Sequence, residues 1–151
     1  MGLDPKRLYV TVFGGNDDAP RDNESFEIWK KYVPENRIYF LTWNGKKDPN
    51  WWDTGENGPA GPDTEIFYWT GAEIAPEIFD SNNKLLVEIW NNVFMQYEKT
   101  AEGKFVPLKQ KNVDTGMGME RVTSILEGKS NMYDTELFAP IISKIKSVAK
   151  T

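Results

Sequence analysis

The most informative stretch of the chain is Val113-Asp114-Thr115-Gly116-Met117-Gly118-Met119-Glu120-Arg121, which predicts a glycine-spaced turn that runs into an amphipathic helix. Gly116 and Gly118 permit close approach of a ligand to the backbone. The N-terminus of the helix directs unpaired N–H groups and its positive dipole end to the same place. Arg121 adds a guanidinium suited to phosphate, and Asp114 a carboxylate suited to an ammonium. The stretch therefore predicts an anion site; a helix start with a structural arginine is the alternative.

On either side of this stretch, hydrophobic patterning predicts a sheet with helices at its edges. Segments rich in β-branched and aromatic residues predict strands at Leu8–Phe13, Arg37–Leu41, Glu65–Trp69 and Lys84–Thr100, and a hairpin turning at Ala101–Lys104 and returning through Phe105–Leu108. Apolar residues at helical spacing predict helices from about Asp22 to Pro34, from Met119 to Glu127 with a C-cap at Gly128, and from Thr135 to Val148. We expect an α+β domain with a mostly antiparallel sheet.

The last of these helices has an apolar stripe with lysines opposite it. The stripe is formed by Ile141, Ile142, Ile145 and Val148, and the expected solvent-facing side by Lys144, Lys146 and Lys150. A polar stretch from Thr42 to Asp63 is predicted to be a functional loop, because a long loop is usually functional or disordered and Trp43, Trp51 and Trp52 argue against disorder.

Composition removes several kinds of chemistry. The 151 residues contain no Cys and no His, so zinc, disulfides and an imidazole base are excluded in this chain. A net charge of −5 argues against a large basic face for nucleic acid. No apolar run approaches the ~20 residues that span a bilayer, and Met1–Asp4 lacks the features of a signal peptide. We expect no membrane association and a cytoplasmic location.

Four blocks in the chain resemble the alanyl-tRNA synthetase family of class II aminoacyl-tRNA synthetases, in the family's order. Val113–Arg121 resembles its motif 3, VDTGMGxER. The other three resemble its GPCGPxxEI loop, its EIWNxVFMQ strand and its SNYDTDLF tail, and they lie at Gly58–Ile66, Glu88–Gln96 and Asn131–Phe138. The resemblance implies a class II synthetase sheet and ATP-dependent activation of alanine for transfer to tRNA(Ala). Ala60 and Asp63 stand where the family usually has cysteines.

The same resemblance implies roles for individual residues. Arg121 is expected to be the catalytic contact to the γ-phosphate of ATP, with Gly116, Gly118 and Glu88 also at the nucleotide. Asp114 and Asn91 are expected to hold the ammonium of alanine. Because larger side chains are rejected sterically, the pocket also needs an apolar wall, and Trp52 and Val113 are candidates for it. Mg²⁺ is assigned to Glu88 or Glu65, since Mg²⁺ on ATP needs only one or two carboxylates. Structural roles for Asp114, Asn91, Trp52 and Val113 remain alternatives.

The family's motifs 1 and 2 have no counterpart in these 151 residues, including the motif 2 arginine that holds the α-phosphate. Residues 1–151 are therefore expected to form a single partial catalytic domain, inactive alone. Such a domain is either a fragment of a longer synthetase or one polypeptide of a split synthetase, in which another chain would supply the N-terminal half. The alternatives are a nucleotide or amino-acid binding module without ligase activity, and a domain kept for protein association. An exposed sheet face would favour self-association in each case.

Overall fold

A computed structural model describes residues 1–42 and 49–149. Its strands are β1 (Leu8–Phe13), β2 (Ile38–Leu41), β3 (Trp51–Asp53), β4 (Gly58–Trp69), β5 (Leu86–Lys99) and β6 (Phe105–Met117), and its α-helices are α1 (Asn23–Trp29), α2 (Met119–Leu126) and α3 (Ala139–Ala149). Short 3₁₀ turns occupy Pro5–Arg7, Glu35–Arg37 and Met132–Asp134. None of the described helices is long and apolar enough to cross a membrane.

The described strands form one mixed, mostly antiparallel sheet, which confirms the predicted α+β class. Its order is β2-β1-β4-β5-β6, with β3 paired to β4 outside that path. β1 and β2 are parallel, and the other pairs are antiparallel. Among the described strands, β6 therefore has a partner on one side only.

Alternation along β1 defines the two faces of the sheet. Tyr9 and Thr11 point to what we name the first face, and Val10 and Val12 to the second. On the first face Tyr9 packs with Trp69, Ala75, Phe79 and Leu86. On the second face Val10 and Val12 pack with Val33 and Ile38 beneath α1, and Tyr68 and Ile89 pack with Val122 of α2. β1 is thus buried on both faces.

The irregular segment 70–79 is held by side chains that donate to its backbone carbonyls. Arg7 Nη1 donates to Gly71 O at 2.7 Å, Arg37 Nη1 to Pro76 O at 2.9 Å, Tyr39 Oη to Glu77 O at 2.7 Å and Trp69 Nε1 to Glu73 O at 2.9 Å. Tyr9 Oη also donates to Pro76 O. Burial raises the pKa of the Tyr9 hydroxyl, although the Arg37 guanidinium beside it acts in the opposite direction. These contacts fasten the segment to β1, β2 and β4.

Two segments expected to be loop or turn are strands. β4 begins at Gly58, and Trp51–Asp53 pairs with Ala60–Pro62, so part of the expected 42–63 loop is a β-hairpin. Pairing with β3 and β5 outweighs the local preference of Gly and Pro, and a register shift between Ala60 and Asp63 accommodates that stretch. Val113–Met117 is likewise strand, because these residues pair with Trp90–Phe94. Trp43 lies outside the described residues.

α2 lies close to its expected bounds, whereas α1 ends earlier and α3 begins later than expected. Asp22 caps α1, which ends at Trp29 rather than near Pro34, and Gly128 follows α2 with φ of +65°. α3 begins at Ala139, after a 3₁₀ turn, instead of at Thr135. Its stripe is largely exposed, with Ile141, Ile145 and Val148 at 55%, 55% and 68%. Lys150 lies outside the described residues.

Candidate active site

The joint between β6 and α2 places Arg121 at the edge of the first face. Gly118 is the N-cap of α2, and its backbone N–H donates to Ile89 O at 3.2 Å. Val122 is buried against Tyr68 and Ile89, which fixes the helix to the sheet. The joint is thus a strand running directly into a helix.

Arg121 forms an ion pair with Glu88 of β5. Its Nη1 donates to the Glu88 carboxylate Oε2 at 3.1 Å and to the Glu88 carbonyl oxygen at 3.1 Å. The side chains of Arg121 and Glu88 are 46% and 34% exposed. A structural arginine at this helix start would be expected to pair with a nearby glutamate such as Glu120 or Glu127. The partner is instead Glu88, in the block that resembles the EIWNxVFMQ strand. The guanidinium is therefore held beside a carboxylate and remains open to a ligand.

An open cavity of about 600 Å³ surrounds this pair. Five residues assigned to the site from the sequence line it together: Glu88, Asn91, Gly116, Gly118 and Arg121. The remaining lining comes from Met117, Glu120, Met132, Tyr133 and Phe138. The last three belong to the block that resembles the SNYDTDLF tail, so three of the four blocks meet at one cavity.

Asn91 contributes a buried polar atom without a hydrogen bond. Its register partners are Glu65 on β4 and Gly116 on β6, and Thr11 of β1 lies beyond Glu65 in the same row. The Oδ1 atom of Asn91 is buried and has no hydrogen-bond partner among the described residues. A buried acceptor left unpaired is costly, so this oxygen is suited to a ligand that donates hydrogen bonds.

Asp114 and Val113 point to opposite faces because they are neighbours on one strand. Asp114 pairs with Val93 and Val113 with Phe94, so Asp114 shares the first face with Asn91. Asp114 is exposed and is not among the described residues that line the Arg121 cavity. Val113 is 68% exposed on the second face. The structure therefore brings Asp114 and Asn91 to one face and sets Val113 apart from them.

Trp52 and Glu65 lie near the site without lining the cavity that Arg121 enters. Trp52 is half-buried on β3 opposite Gly61. Its neighbour Trp51 packs against the rings of Phe13, Tyr97 and Phe105, with centroids 5.1, 5.7 and 5.1 Å away. Glu65 is half-buried on the strand beside Asn91.

Two residues on the first face were not predicted from the sequence, the buried polar Asn50 and the apolar Val93. Asn50 Nδ2 donates to Thr11 Oγ1 and to Asp63 Oδ1, both at 2.9 Å. Val93, 6% exposed, lies between Asp63 and Asp114 in register. Counting two residues along β5 from Asn91 identifies Val93 as an apolar wall. Asn50 gave no such signal, because its partners are distant in sequence.

The two glycines of the resembling motif differ in the space around them. A Cβ on Gly116 would meet no protein atom within 4 Å, so the space there is open. A Cβ on Gly118 would lie 3.2 Å from Cδ of Arg121. Gly116 thus leaves room in the cavity, whereas Gly118 leaves room for the arginine itself.

The residues at the cavity fit a magnesium ion that arrives with phosphate. No group of three or more His, Cys, Asp or Glu that could hold a metal occurs within residues 1–42 and 49–149. Mg²⁺ on a nucleotide takes most of its ligands from phosphate and water. The part-exposed carboxylate of Glu88, in the same cavity as Arg121, is sufficient for such an ion.

Comparison with known proteins gives matches along the whole chain. The family model described as tRNA synthetases class II (A) matches residues 1–151. A protein of Treponema denticola named alanine–tRNA ligase is 48% identical over 99% of this chain, and one of Treponema pallidum is 47% identical over 96%. A relative of the same name from Porphyromonas gingivalis is 42% identical over 98% of the chain. The chain spans 25%, 24% and 17% of these three relatives.

Proposed function

The chain belongs to the class II tRNA synthetases, and from this premise we propose that it forms part of the site where alanine is activated with ATP for transfer to tRNA(Ala). One observation carries the proposal: Arg121, Glu88, Asn91 and Gly116, which come from two separate blocks, line one open cavity. The relatives' name, alanine–tRNA ligase, supports alanine as the amino acid. tRNA charging takes place where proteins are made, so the proposal includes the cytoplasmic location expected from the sequence.

In the proposed mechanism Arg121 binds the γ-phosphate and stabilises the charge of the departing pyrophosphate. Glu88, with Glu65 as the rival ligand, would hold Mg²⁺, which would further neutralise the charge of the phosphates. The carboxylate of alanine attacks the α-phosphorus, and the protein acts mainly by positioning these charged groups. Gly116 leaves space for the nucleotide.

Asp114 and Asn91 are proposed to receive the ammonium of alanine on the first face. The Asp114 carboxylate supplies the counter-charge, and the unpaired Asn91 Oδ1 supplies a hydrogen-bond acceptor. Val93 is a better placed apolar wall than Val113, because Val93 is on the same face as both polar residues. Trp52 keeps its proposed place at the other side of the pocket.

The cavity has one arginine among its described lining residues, and the resemblance to the family implies a second one, in motif 2, at the α-phosphate. Among the described strands β6 has a partner on one side only, and its other edge offers a strand of a second polypeptide a place to pair. The same edge and the exposed face of β6 give self-association a surface. Binding of nucleotide or alanine without ligation is the alternative for the chain alone.

The proposed nucleotide site is tested by calorimetric titration of ATP with and without Mg²⁺. We expect the wild-type chain to bind ATP with Mg²⁺, and Arg121→Ala to bind at least tenfold more weakly, because a charge-assisted contact to phosphate is lost. Arg121→Lys should also bind poorly, since an ammonium lacks the planar two-point contact. Equal affinity of all three proteins would contradict the assignment of Arg121.

Pyrophosphate exchange separates ligase from binding module. We expect no alanine-dependent exchange by the 151-residue chain, because loss of a preorganised charge stabiliser costs about 10²–10³ in rate. Adding a polypeptide with the motif 2 arginine should restore exchange if the chain is part of a split synthetase. Exchange by the chain alone, abolished by Arg121→Ala, would overturn the expected inactivity.

A further inference from the structure

The guanidinium and the carboxylate assigned to ATP and Mg²⁺ are bonded to each other. Arg121 Nη1 lies 3.1 Å from Glu88 Oε2. Among the described residues, Arg121 makes no other ion pair. A guanidinium accepts a carboxylate or a phosphate in the same planar fashion. Glu88 therefore takes up N–H donors of one of the three guanidinium nitrogens, and its negative charge offsets part of the positive charge that Arg121 would present to a phosphate.

The geometry points to a coupling: we propose that the Glu88–Arg121 ion pair makes phosphate binding at Arg121 dependent on Mg²⁺ binding at Glu88. Without the metal, the Glu88 carboxylate competes with a triphosphate for Arg121 and repels it. With Mg²⁺, the carboxylate turns to the metal and releases the guanidinium to the phosphate. The inference rests on the proposed function, because it requires both ligands in this cavity.

The pair is suited to such an exchange. Both side chains are partly exposed, and ion pairs of that kind are weak, so a ligand can displace the carboxylate. The second bond of Arg121 Nη1, to the Glu88 carbonyl oxygen at 3.1 Å, does not depend on the carboxylate. It keeps the guanidinium at the mouth of the cavity when the carboxylate leaves. By reciprocity, triphosphate binding must then tighten Mg²⁺ binding by the same factor.

Glu120 provides a matched control. It carries the same charge and lines the same cavity, one residue before Arg121, and no ion pair joins the two within the described residues. Removing the Glu120 charge relieves repulsion of phosphate without releasing Arg121. A change seen with Glu88→Gln but not with Glu120→Gln therefore reports the pair and not the charge.

The test is titration of the full chain with ATP and with inorganic tripolyphosphate, each with and without Mg²⁺. We expect Glu88→Gln to bind both probes about two- to fivefold more tightly than wild type without Mg²⁺, which is the factor given by an exposed ion pair. Mg²⁺ should then raise its affinity less than it raises that of wild type. Glu120→Gln should retain the wild-type difference between the two conditions.

Three outcomes would overturn the coupling. If Glu88→Gln leaves metal-free affinity unchanged while Arg121→Ala abolishes binding, the proposed site stands and the coupling fails. If Glu120→Gln tightens metal-free binding as much as Glu88→Gln, general repulsion explains the result and the coupling also fails. If no protein binds either probe in any condition, the proposed function fails and the coupling fails with it.

Discussion

The two halves of the sheet differ in what they give the protein. β1 is buried on both faces between aromatic and aliphatic clusters. β6, in contrast, is exposed from Lys109 to Met117, and it carries Asp114 and Gly116 of the proposed site. The β1–β4 half thus stabilises the fold, whereas the β5–β6 half has side chains free to meet a ligand. A site can be built on a strand that contributes little to the core, provided its partner strand is well held.

Two glycines show this difference at the scale of one atom. A Cβ on Gly61 of β4 would lie 2.0 Å from the backbone oxygen of Phe94, so β5 approaches β4 too closely for any side chain. A Cβ on Gly116 of β6 would meet nothing within 4 Å. The first glycine is required for strand packing, and the second leaves space that the protein does not fill.

Gly61→Ala is expected to have the largest effect. The added methyl group would overlap the Phe94 carbonyl unless β4 and β5 separate, so the free energy of unfolding should fall by about 4 kcal/mol or more. Urea denaturation followed by tryptophan fluorescence measures this change. A loss below about 1 kcal/mol, the centre of the range for ordinary substitutions, would show that the two strands can move apart easily.

Asp114→Asn should affect ligand use rather than folding. In the enzyme completed by its N-terminal half, we expect the alanine requirement to rise at least tenfold with the ATP requirement nearly unchanged, because the counter-charge to the ammonium is lost. The Asp114 side chain is exposed, so the melting temperature should change little. Alanine and ATP titrations with a melting curve on the same variant give all three quantities. A purely thermal phenotype would remove Asp114 from the site.

Gly116→Ala should stabilise the fold slightly and weaken ATP binding. Alanine in a strand interior is favoured over glycine by roughly 0.5–1 kcal/mol, so the free energy of unfolding should rise slightly. The methyl group would project into the space kept for the nucleotide, and ATP affinity should fall. Denaturation of the variant tests the expected rise in the free energy of unfolding, and ATP titration of the same sample tests the expected fall in affinity. Unchanged ATP affinity would indicate that the nucleotide does not approach β6 at this residue.

The sequence predicted strands rich in β-branched and aromatic residues better than strands that form through pairing with distant segments. Leu8–Phe13 is β-branched and aromatic because it is buried on both sides, so composition alone indicated the strand. Gly58–Pro62 and Val113–Met117 are strands through pairing with distant segments, and their local composition favours turns. The helix after Gly118 was predictable because its caps are local signals.

The sequence predicted which segments form the candidate site, but not which of their side chains point to the same face of the sheet. Glu88, Asn91, Gly116, Gly118 and Arg121 line one cavity, as the four ordered blocks suggested. Which side chains of β6 share a face with Asn91 depends on the β5–β6 register, and β5 also has an irregularity near Ile66–Phe67 of its partner. If the β5–β6 register shifted by one residue, Val113 would point to the first face in place of Asp114. Local sequence does not contain that information.

The hydrogen bonds that side chains donate to the backbone carbonyls of residues 70–79 should protect this segment from proteolysis. A protease must unfold several residues of a loop before it can cut, and irregular segments usually allow this. Here the backbone carbonyls accept hydrogen bonds from side chains of β2 and β4 and of the 3₁₀ turns that precede β1 and β2. Despite the exposed side chains of Ile74 and Ile78, this segment is therefore expected to be cut more slowly than an irregular segment without such bonds.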